Sequence, residues 1–213
     1  MNQELSFKKH KKNHHSFAFT LVEILVVVAV LSVVGILVLT IFTRTLRGTN
    51  KTQILGAIKQ NGQSVLETMT GAIRNSDNIV CPLSASSNTL VVVTRGIYSR
   101  YRFIAQDTSN NGLIQQDNPA KQIDPATGQE ETDPAFVNRI CGPADPMVLP
   151  IVLTDTHPQS GVSLASGSFS LNRQAGFKDN VKITFELTPG VRALPVLVSE
   201  IGAITFETTI QLR

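Results

Sequence analysis

The hydrophobic pattern begins with one long apolar run. From Ile24 to Thr43, twenty residues carry no charged side chain, and as an α-helix they would extend about 30 Å, the thickness of the hydrocarbon core of a bilayer. A secretory signal has a shorter apolar core, followed by a cleavage site of small residues. The residues that follow this run, Arg44 and Thr45, offer no such site. The run therefore predicts a single transmembrane helix.

Beyond Arg44 the apolar residues recur at helical spacing, with charged residues between them. The recurring positions are Leu46, Ile54, Ile58, Val65, Met69 and Ile73. This pattern is typical of an amphipathic helix with one buried face. No proline precedes Pro82, so the pattern predicts one continuous helix with a transmembrane half over 19–43 and an amphipathic half over 44–76. Two helices hinged near Gly48 are the alternative.

From residue 77 onward the pattern changes to the alternation of β-strands. Residues 181–187 alternate strictly, which indicates one face on a core and the other in water. The predicted strands are 89–94, 98–104, 113–115, 148–153, 162–164, 168–171, 181–187 and 203–212. Because they all follow one long helix, the pattern predicts an α+β fold in which that helix packs on an antiparallel β-sheet domain over 77–213.

One segment of the β-rich region lacks apolar periodicity. Residues 117–146 are rich in proline and contain Asp124, Glu130, Glu131, Asp133 and Asp145. About thirty residues without periodicity predict an irregular acidic loop, either functional or simply mobile.

Charge separates the first eighteen residues from the rest. They hold four lysines (Lys8, Lys9, Lys11 and Lys12) against Glu4, which accounts for the net charge of +3 and leaves fifteen basic and fifteen acidic residues elsewhere. A neutral remainder with 6% aromatic residues and no Trp gives no support for direct nucleic-acid binding. Lysines before the apolar run predict a cytoplasmic leader over 1–18 and an extracytoplasmic C-terminal region.

The two cysteines, Cys81 and Cys141, both fall in the region predicted to be exported, where disulfides persist in many envelopes. They are either bonded to each other, which would stabilise the fold by about 4 kcal/mol through loop entropy, or two unpaired thiols. No Cys-x-x-Cys pair supports a zinc site.

Two short segments contain residue types found in metal or catalytic sites. Residues 107–114 place oxygen-bearing side chains as a calcium loop does, but the twelfth position is Asn118 rather than Glu. Asp155, His157 and Ser160 supply the residue types of a hydrolase triad without a Gly-x-Ser-x-Gly elbow. We interpret the first as a hairpin turn and the second as a surface loop, and we predict no catalytic residue, metal or cofactor.

The edge of the apolar run carries the most informative residues, Ala18-Phe19-Thr20-Leu21-Val22-Glu23. A carboxylate inside a bilayer costs about 2.5–3.5 kcal/mol on insertion scales, so Glu23 needs a use there. The segment resembles the processing site of type IV prepilins and type II secretion pseudopilins, whose leader is cut before a Phe and whose mature chain has Glu at its fifth position. In this sequence those residues are Phe19 and Glu23. Ala18 stands where the family usually has Gly.

The resemblance implies a pilin-like fold and a non-enzymatic role. A prepilin peptidase would cut between Ala18 and Phe19 and methylate the new amino group of Phe19. Glu23 would meet the amino terminus of a neighbouring subunit during filament assembly. The implied partners are other pilins, through the N-terminal helix, and the assembly platform of the inner membrane.

Within the family, the absence of a proline in the membrane half and the large sheet region are more similar to a minor pilin or pseudopilin, including the J type. The filament could be a type IV pilus, a type II secretion pseudopilus or a DNA-uptake pilus. The alternative is a single-pass, membrane-anchored extracellular binding protein that does not polymerise.

Overall fold

The computed structural model describes residues 20–82, 86–123, 125, 128–174 and 176–212. Within these described residues the helices are α1 (Leu21–Arg74), α2 (Asp133–Cys141) and α3 (Pro195–Ile201). The strands are β1 (Asn78–Cys81), β2 (Ser86–Ser87), β3 (Thr89–Thr94), β4 (Ile97–Ile104), β5 (Leu113–Asp117), β6 (Ile151–Val152), β7 (Val162–Asn172), β8 (Asn180–Pro189) and β9 (Ile204–Gln211). The chain divides into two compact units, Met1–Gly48 and Thr49–Arg213.

The strands of the second unit form two antiparallel sheets. One sheet has the order β1-β3-β4-β5-β6 and the other has the order β2-β7-β8-β9. β3 and β4 form a hairpin in which Thr94 pairs with Ile97. Its two turn residues, Arg95 and Gly96, both have positive φ, as the primed turns that match the twist of a hairpin require.

The main core lies between the two sheets and residues 49–74 of α1. Its fully buried members on α1 are Ile58, Met69 and Ile73, and Val65 is 1% exposed. In the sheets, Phe103 of β4 stacks on Phe169 of β7 with ring centroids 4.3 Å apart. The apolar stripe predicted over this part of the sequence is thus the buried face of the helix, and the α+β, pilin-like arrangement is confirmed.

Three details of the prediction are wrong. The stretches 162–164 and 168–171 belong to a single strand, β7, whose register shifts between Leu164 and Ser166. The predicted strand over 148–153 is reduced to Ile151–Val152. Residues 105–112 do connect β4 and β5 as a hairpin, with Ile104 paired to Leu113, but the loop has eight residues and is not a tight turn. That connection is tied to β7 instead, where the amide of Gly112 donates to Ser163 Oγ over 2.9 Å.

The packing of α1 against β9 requires a glycine at position 62. A Cβ at this position would collide with the ring of Phe206 on β9, whereas a Cβ at Gly56 would meet nothing within 4 Å. We expect Gly62→Ala to lower the free energy of unfolding by about 1–3 kcal/mol through overpacking. The matched variant Gly56→Ala should instead raise it by about 0.5–1 kcal/mol through helix propensity. Thermal unfolding followed by circular dichroism measures both, and equal effects would contradict the close packing.

Candidate functional site

The first turn of α1 is set by Thr20 and Glu23. The Thr20 hydroxyl accepts a hydrogen bond from the backbone N–H of Glu23 over 3.2 Å, and the Thr20 carbonyl accepts one from the N–H of Ile24 over 3.2 Å. Thr20 is therefore the N-cap of the helix, with Glu23 three residues later. A carboxylate in the first turn is stabilised by the helix dipole, by about 0.3–1 kcal/mol. The Glu23 side chain is exposed.

The apolar run, residues 24–43, belongs to the first unit, and every one of its residues is exposed. An 18-residue window of α1 has a mean hydropathy of 3.2 and none of its residues is buried. The exposed large apolar side chains begin with Leu21 and continue to Phe42. A soluble monomer rarely exposes so large a contiguous apolar surface, so this segment needs lipid or another apolar helix around it.

The polar side chains of the run satisfy their own hydrogen bonds. The hydroxyls of Ser32 and Thr40 donate to the carbonyls of Val28 and Ile36, each over 2.8 Å. The hydroxyl of Thr43 donates to the carbonyl of Thr40 over 3.0 Å. Since an unsatisfied polar group in hydrocarbon costs several kcal/mol, these internal bonds make the helix compatible with a bilayer.

The segment predicted as an irregular acidic loop over 117–146 is ordered where the structure describes it. It contains α2, which begins after Thr132 and has Pro134 in its first turn, a favourable position because Pro lacks only an N–H that would be unpaired there. Phe136 and Ile140 of α2 are buried against Val91. The irregular-loop prediction is therefore wrong for this helix.

A buried arginine holds the acidic segment against the sheet. Arg100 of β4 donates to both oxygens of Asp117, over 2.8 and 2.6 Å, and to Asp145 over 2.5 Å. The side chains of Arg100 and Asp117 are fully buried. Arg102, two residues along β4, donates to the backbone carbonyls of Asp145 and Gly142 over 2.7 and 2.9 Å. Both arginines therefore bind the end of the acidic segment.

A third arginine, Arg139, extends this ion-pair network. Arg139 of α2 donates a hydrogen bond to Asp145 over 2.9 Å. It also donates to both carboxylate oxygens of Glu131, over 3.0 and 2.9 Å. Burial opposes ionisation of Asp145, but the hydrogen bonds from Arg139 and Arg100 outweigh it and hold its pKa below the usual range. The hydrogen bond from Arg139 likewise lowers the pKa of Glu131. The bonds to Asp117 and Asp145 raise the pKa of Arg100 despite its burial.

The disulfide closes the same region. Cys81, at the end of β1, is bonded to Cys141, at the end of α2, with their Cα atoms 5.7 Å apart. Cys81 is fully buried beside Phe136 and Ile140. The bond and the ion-pair network thus fix α2 to the outer face of the first sheet.

The two candidate segments interpreted as a hairpin turn and a surface loop have structural roles. The Asp107 carboxylate accepts hydrogen bonds from the backbone N–H groups of Ser109 and Asn110, over 2.6 and 2.7 Å, so it caps its own turn. Ser160 Oγ lies 2.9 Å from His157 Nδ1. Asp155, however, accepts from the backbone N–H of His157 over 3.0 Å rather than from its ring, so these three residues do not form the relay of a hydrolase triad.

Comparison with known families identifies the N-terminal segment. Residues 13–39 match the family model of the prokaryotic N-terminal methylation motif. With the long apolar helix, this match fits a prepilin or a pseudopilin. Comparisons with curated proteins and with solved structures give no match. The predicted cleavage residues Ala18 and Phe19 lie within the matched range but outside the described residues.

The prepilin motif and the exposed apolar helix together indicate a membrane-anchored, single-pass protein. They also indicate a structural subunit rather than an enzyme. The helix geometry agrees with a membrane-spanning segment, because the described part of the motif is one uninterrupted α-helix that begins at Leu21, beside its N-cap.

Sequence reasoning missed the ion-pair network of this prepilin-like chain, although a signal for it exists. In the run Arg100-Tyr101-Arg102-Phe103, the aromatic residues face the main core and the arginines therefore share the opposite face. Two adjacent cations on a strand face need acidic partners when they are buried. The acidic residues of 117–146 were the available partners.

We expect the second unit to lose stability in acid. The folded-state pKa values of Asp145 and Glu131 are lowered, so their ion pairs stabilise the fold above the unfolded pKa near 4 and this contribution is lost as pH falls through the folded values. The temperature of the unfolding midpoint should therefore decrease as the pH is lowered from about 5 to about 3. In Asp145→Asn the fall should be smaller, and an identical pH profile for the two proteins would contradict the role of Asp145.

Proposed function

We propose that this chain is a minor pilin or pseudopilin, of the kind found in type IV pili, type II secretion pseudopili or DNA-uptake pili. The observation that carries the proposal is the methylation motif at 13–39, followed by a helix whose apolar side chains are exposed along the whole span. Such a surface suits storage in the membrane and packing against identical surfaces of neighbouring subunits in a filament.

Processing is the first step of the proposed role. A prepilin peptidase cuts between Ala18 and Phe19 and methylates the amino group of Phe19. The new terminus lies four residues before Glu23, and its α-amino group is cationic at neutral pH. Thr20, the described N-cap, lies between the cut and Glu23, so the helix begins almost at the new terminus.

Assembly is the second step. The Glu23 carboxylate of one subunit pairs with the amino terminus of its neighbour, in surroundings of low dielectric where an unpaired charge is costly. Each incoming helix is thereby drawn along the filament until its charge is matched. The partners are other pilins, the peptidase and the assembly platform of the inner membrane, and the second unit lies outside the cytoplasm.

The test is co-purification of the tagged chain from mildly solubilised membranes, with mass spectrometry of the bound proteins. We expect other proteins with the same N-terminal motif, together with components of an assembly platform. The rival, an anchored binding protein that does not polymerise, predicts no such proteins. The Glu23→Ala variant is the matched control, because it keeps the same apolar span and should recover fewer pilins.

A further inference from the structure

The α3 segment presents an exposed apolar surface in the second unit. Leu194, Val196 and Val198 are 64%, 60% and 37% exposed, while Ile201 at the end of α3 packs against the main core. Ile201 fixes the segment to the fold, and the exposed side chains contribute nothing to that core. We call Leu194, Val196 and Val198 together the apolar ledge.

The ledge lies beside the first turns of α1 in the second unit. Glu200 of α3 pairs with Lys51 at 3.5 Å, and Leu194 and Arg192 line one cleft with Gln53 and Ile54. In the sequence, Lys51 follows Thr43, the last residue of the apolar run, by eight residues. Eight residues reach at most about 29 Å even when fully extended. Lys51, with which α3 pairs, is therefore at most about 29 Å from the end of the apolar run, whatever the arrangement of the two units.

One cation beside the ledge, Arg192, and the cations of the tether over 44–51 suit an anionic lipid surface. Arg192 is exposed, and none of the ion pairs in the described part of the chain includes it. Arg44 and Arg47 lie between the apolar run and Lys51 in the sequence. Exposed apolar side chains with neighbouring cations are the features that bind the interface of a bilayer, where the apolar groups enter the headgroup boundary and the cations meet phosphates.

We propose that the apolar ledge rests on the membrane surface in the unassembled subunit, with Leu194, Val196 and Val198 in the headgroup boundary. Three apolar side chains bind lipid weakly by themselves. A short tether, however, places the ledge at an effective concentration of roughly millimolar beside the surface, so that weak contacts are populated. This inference rests on the membrane anchoring of the chain and not on its role in a filament.

Spin labelling of the full processed chain tests the inference. The chain is reconstituted in vesicles of about three parts phosphatidylethanolamine to one part phosphatidylglycerol, which are anionic. Single labels are placed at Val196→Cys and, as a second ledge position, Leu194→Cys. Because both native cysteines are in a disulfide, the label reacts with the introduced thiol. The ratio of collision rates with oxygen and with a water-soluble nickel chelate reports immersion in lipid.

Two matched control positions calibrate this ratio. The first control, Ile97→Cys, labels an apolar residue that is similarly exposed, at 62%. Ile97 lines a cleft with Asn75, and Asn75 lies about 36 Å from Lys51 along the axis of α1, at 1.5 Å per residue. Val34→Cys lies in the apolar span and reports insertion.

We expect the ratio at 194 and 196 to exceed that at 97 roughly tenfold, since interfacial groups enter about 5–10 Å into the boundary. A water-like ratio at both ledge positions, with a lipid-like ratio at 34, would overturn the inference and leave the anchoring intact. Protection of the ledge only when other pilins are present would also overturn it, in favour of a protein partner. A water-like ratio at 34 would instead refute the anchoring itself.

Discussion

The Glu23→Ala variant should insert into the membrane normally and be almost absent from filaments. Removing the carboxylate makes the apolar span more hydrophobic, so insertion does not suffer. Assembly should fail because the amino terminus of the neighbouring subunit then has no partner. At 4 Å and an effective dielectric constant near 20, such a pair is worth about 4 kcal/mol, which corresponds to a loss of roughly a thousandfold. Immunoblots of sheared filaments and of membranes measure the two pools.

Two further variants separate assembly from the start of the helix. Glu23→Gln keeps the size of the side chain and removes its charge, so it should fail as Glu23→Ala does. Thr20→Ala removes the N-cap acceptor of the Glu23 amide and should cost about 1 kcal/mol of helix stability. It should still enter filaments. If Thr20→Ala were excluded as strongly as Glu23→Ala, the effect of Glu23 would belong to the helix terminus rather than to a charge pair.

Arg100→Met should destabilise the second unit more than the loss of any exposed ion pair. The substitution leaves Asp117 and Asp145 without the guanidinium that binds both of them in a buried site. Breaking a buried pair by removing one partner typically costs about 3–5 kcal/mol, because an uncompensated charge remains. For a domain of this size we expect the unfolding midpoint to fall by about 10 °C, as measured by differential scanning calorimetry.

Lys182→Met is the matched control for Arg100→Met. Lys182 pairs with Glu207 at 2.9 Å across β8 and β9, and both side chains are about half exposed. Exposed pairs contribute about 0–1 kcal/mol, so this variant should remain close to the wild type. Arg100→Lys keeps the charge but loses the two parallel bonds to Asp117, and its stability should be intermediate. Similar midpoints for Arg100→Met and Lys182→Met would show that the network does not stabilise the fold.

The long-range plan of the fold could be predicted because its signals are periodic. The apolar positions from Ile58 to Ile73 repeat at helical spacing over several turns, and residues 181–187 alternate without a break. Each pattern extends over enough residues that only one type of element can bury it. The result is a correct fold class, with α1 and the longer strands close to their predicted positions.

The acidic segment was harder to predict because its order depends on distant partners. α2 has only nine residues, too few for a helix to form without tertiary packing. Its buried residues Phe136 and Ile140 show the i, i+4 spacing of a helix, but over a single turn. The charges that hold the segment come from Arg100 on β4, and pairing across 45 residues leaves no local pattern in the sequence.

For the candidate site, the assembly role of Glu23 stays a prediction, and the local structure around this residue was not predicted. The Thr20-x-x-Glu23 spacing of a helix start was readable, and the structure uses it through the Thr20 hydroxyl. This gives Glu23 a modest stabilising effect in the isolated subunit. That effect is smaller than the cost of placing a carboxylate in a bilayer, so it does not by itself account for Glu23, and the assembly role stays a prediction.

The most direct test of the central claim is the mass of the N-terminal peptide of the protein isolated from its native membrane. If the chain is a processed pilin or pseudopilin, the first residue is Phe19 and its amino group carries one methyl group, a mass increase of about 14 Da. A fraction cut without methylation would still support cleavage after Ala18. A protein whose N-terminal peptide begins at Met1 throughout would contradict the account and favour a single-pass anchored protein that does not polymerise.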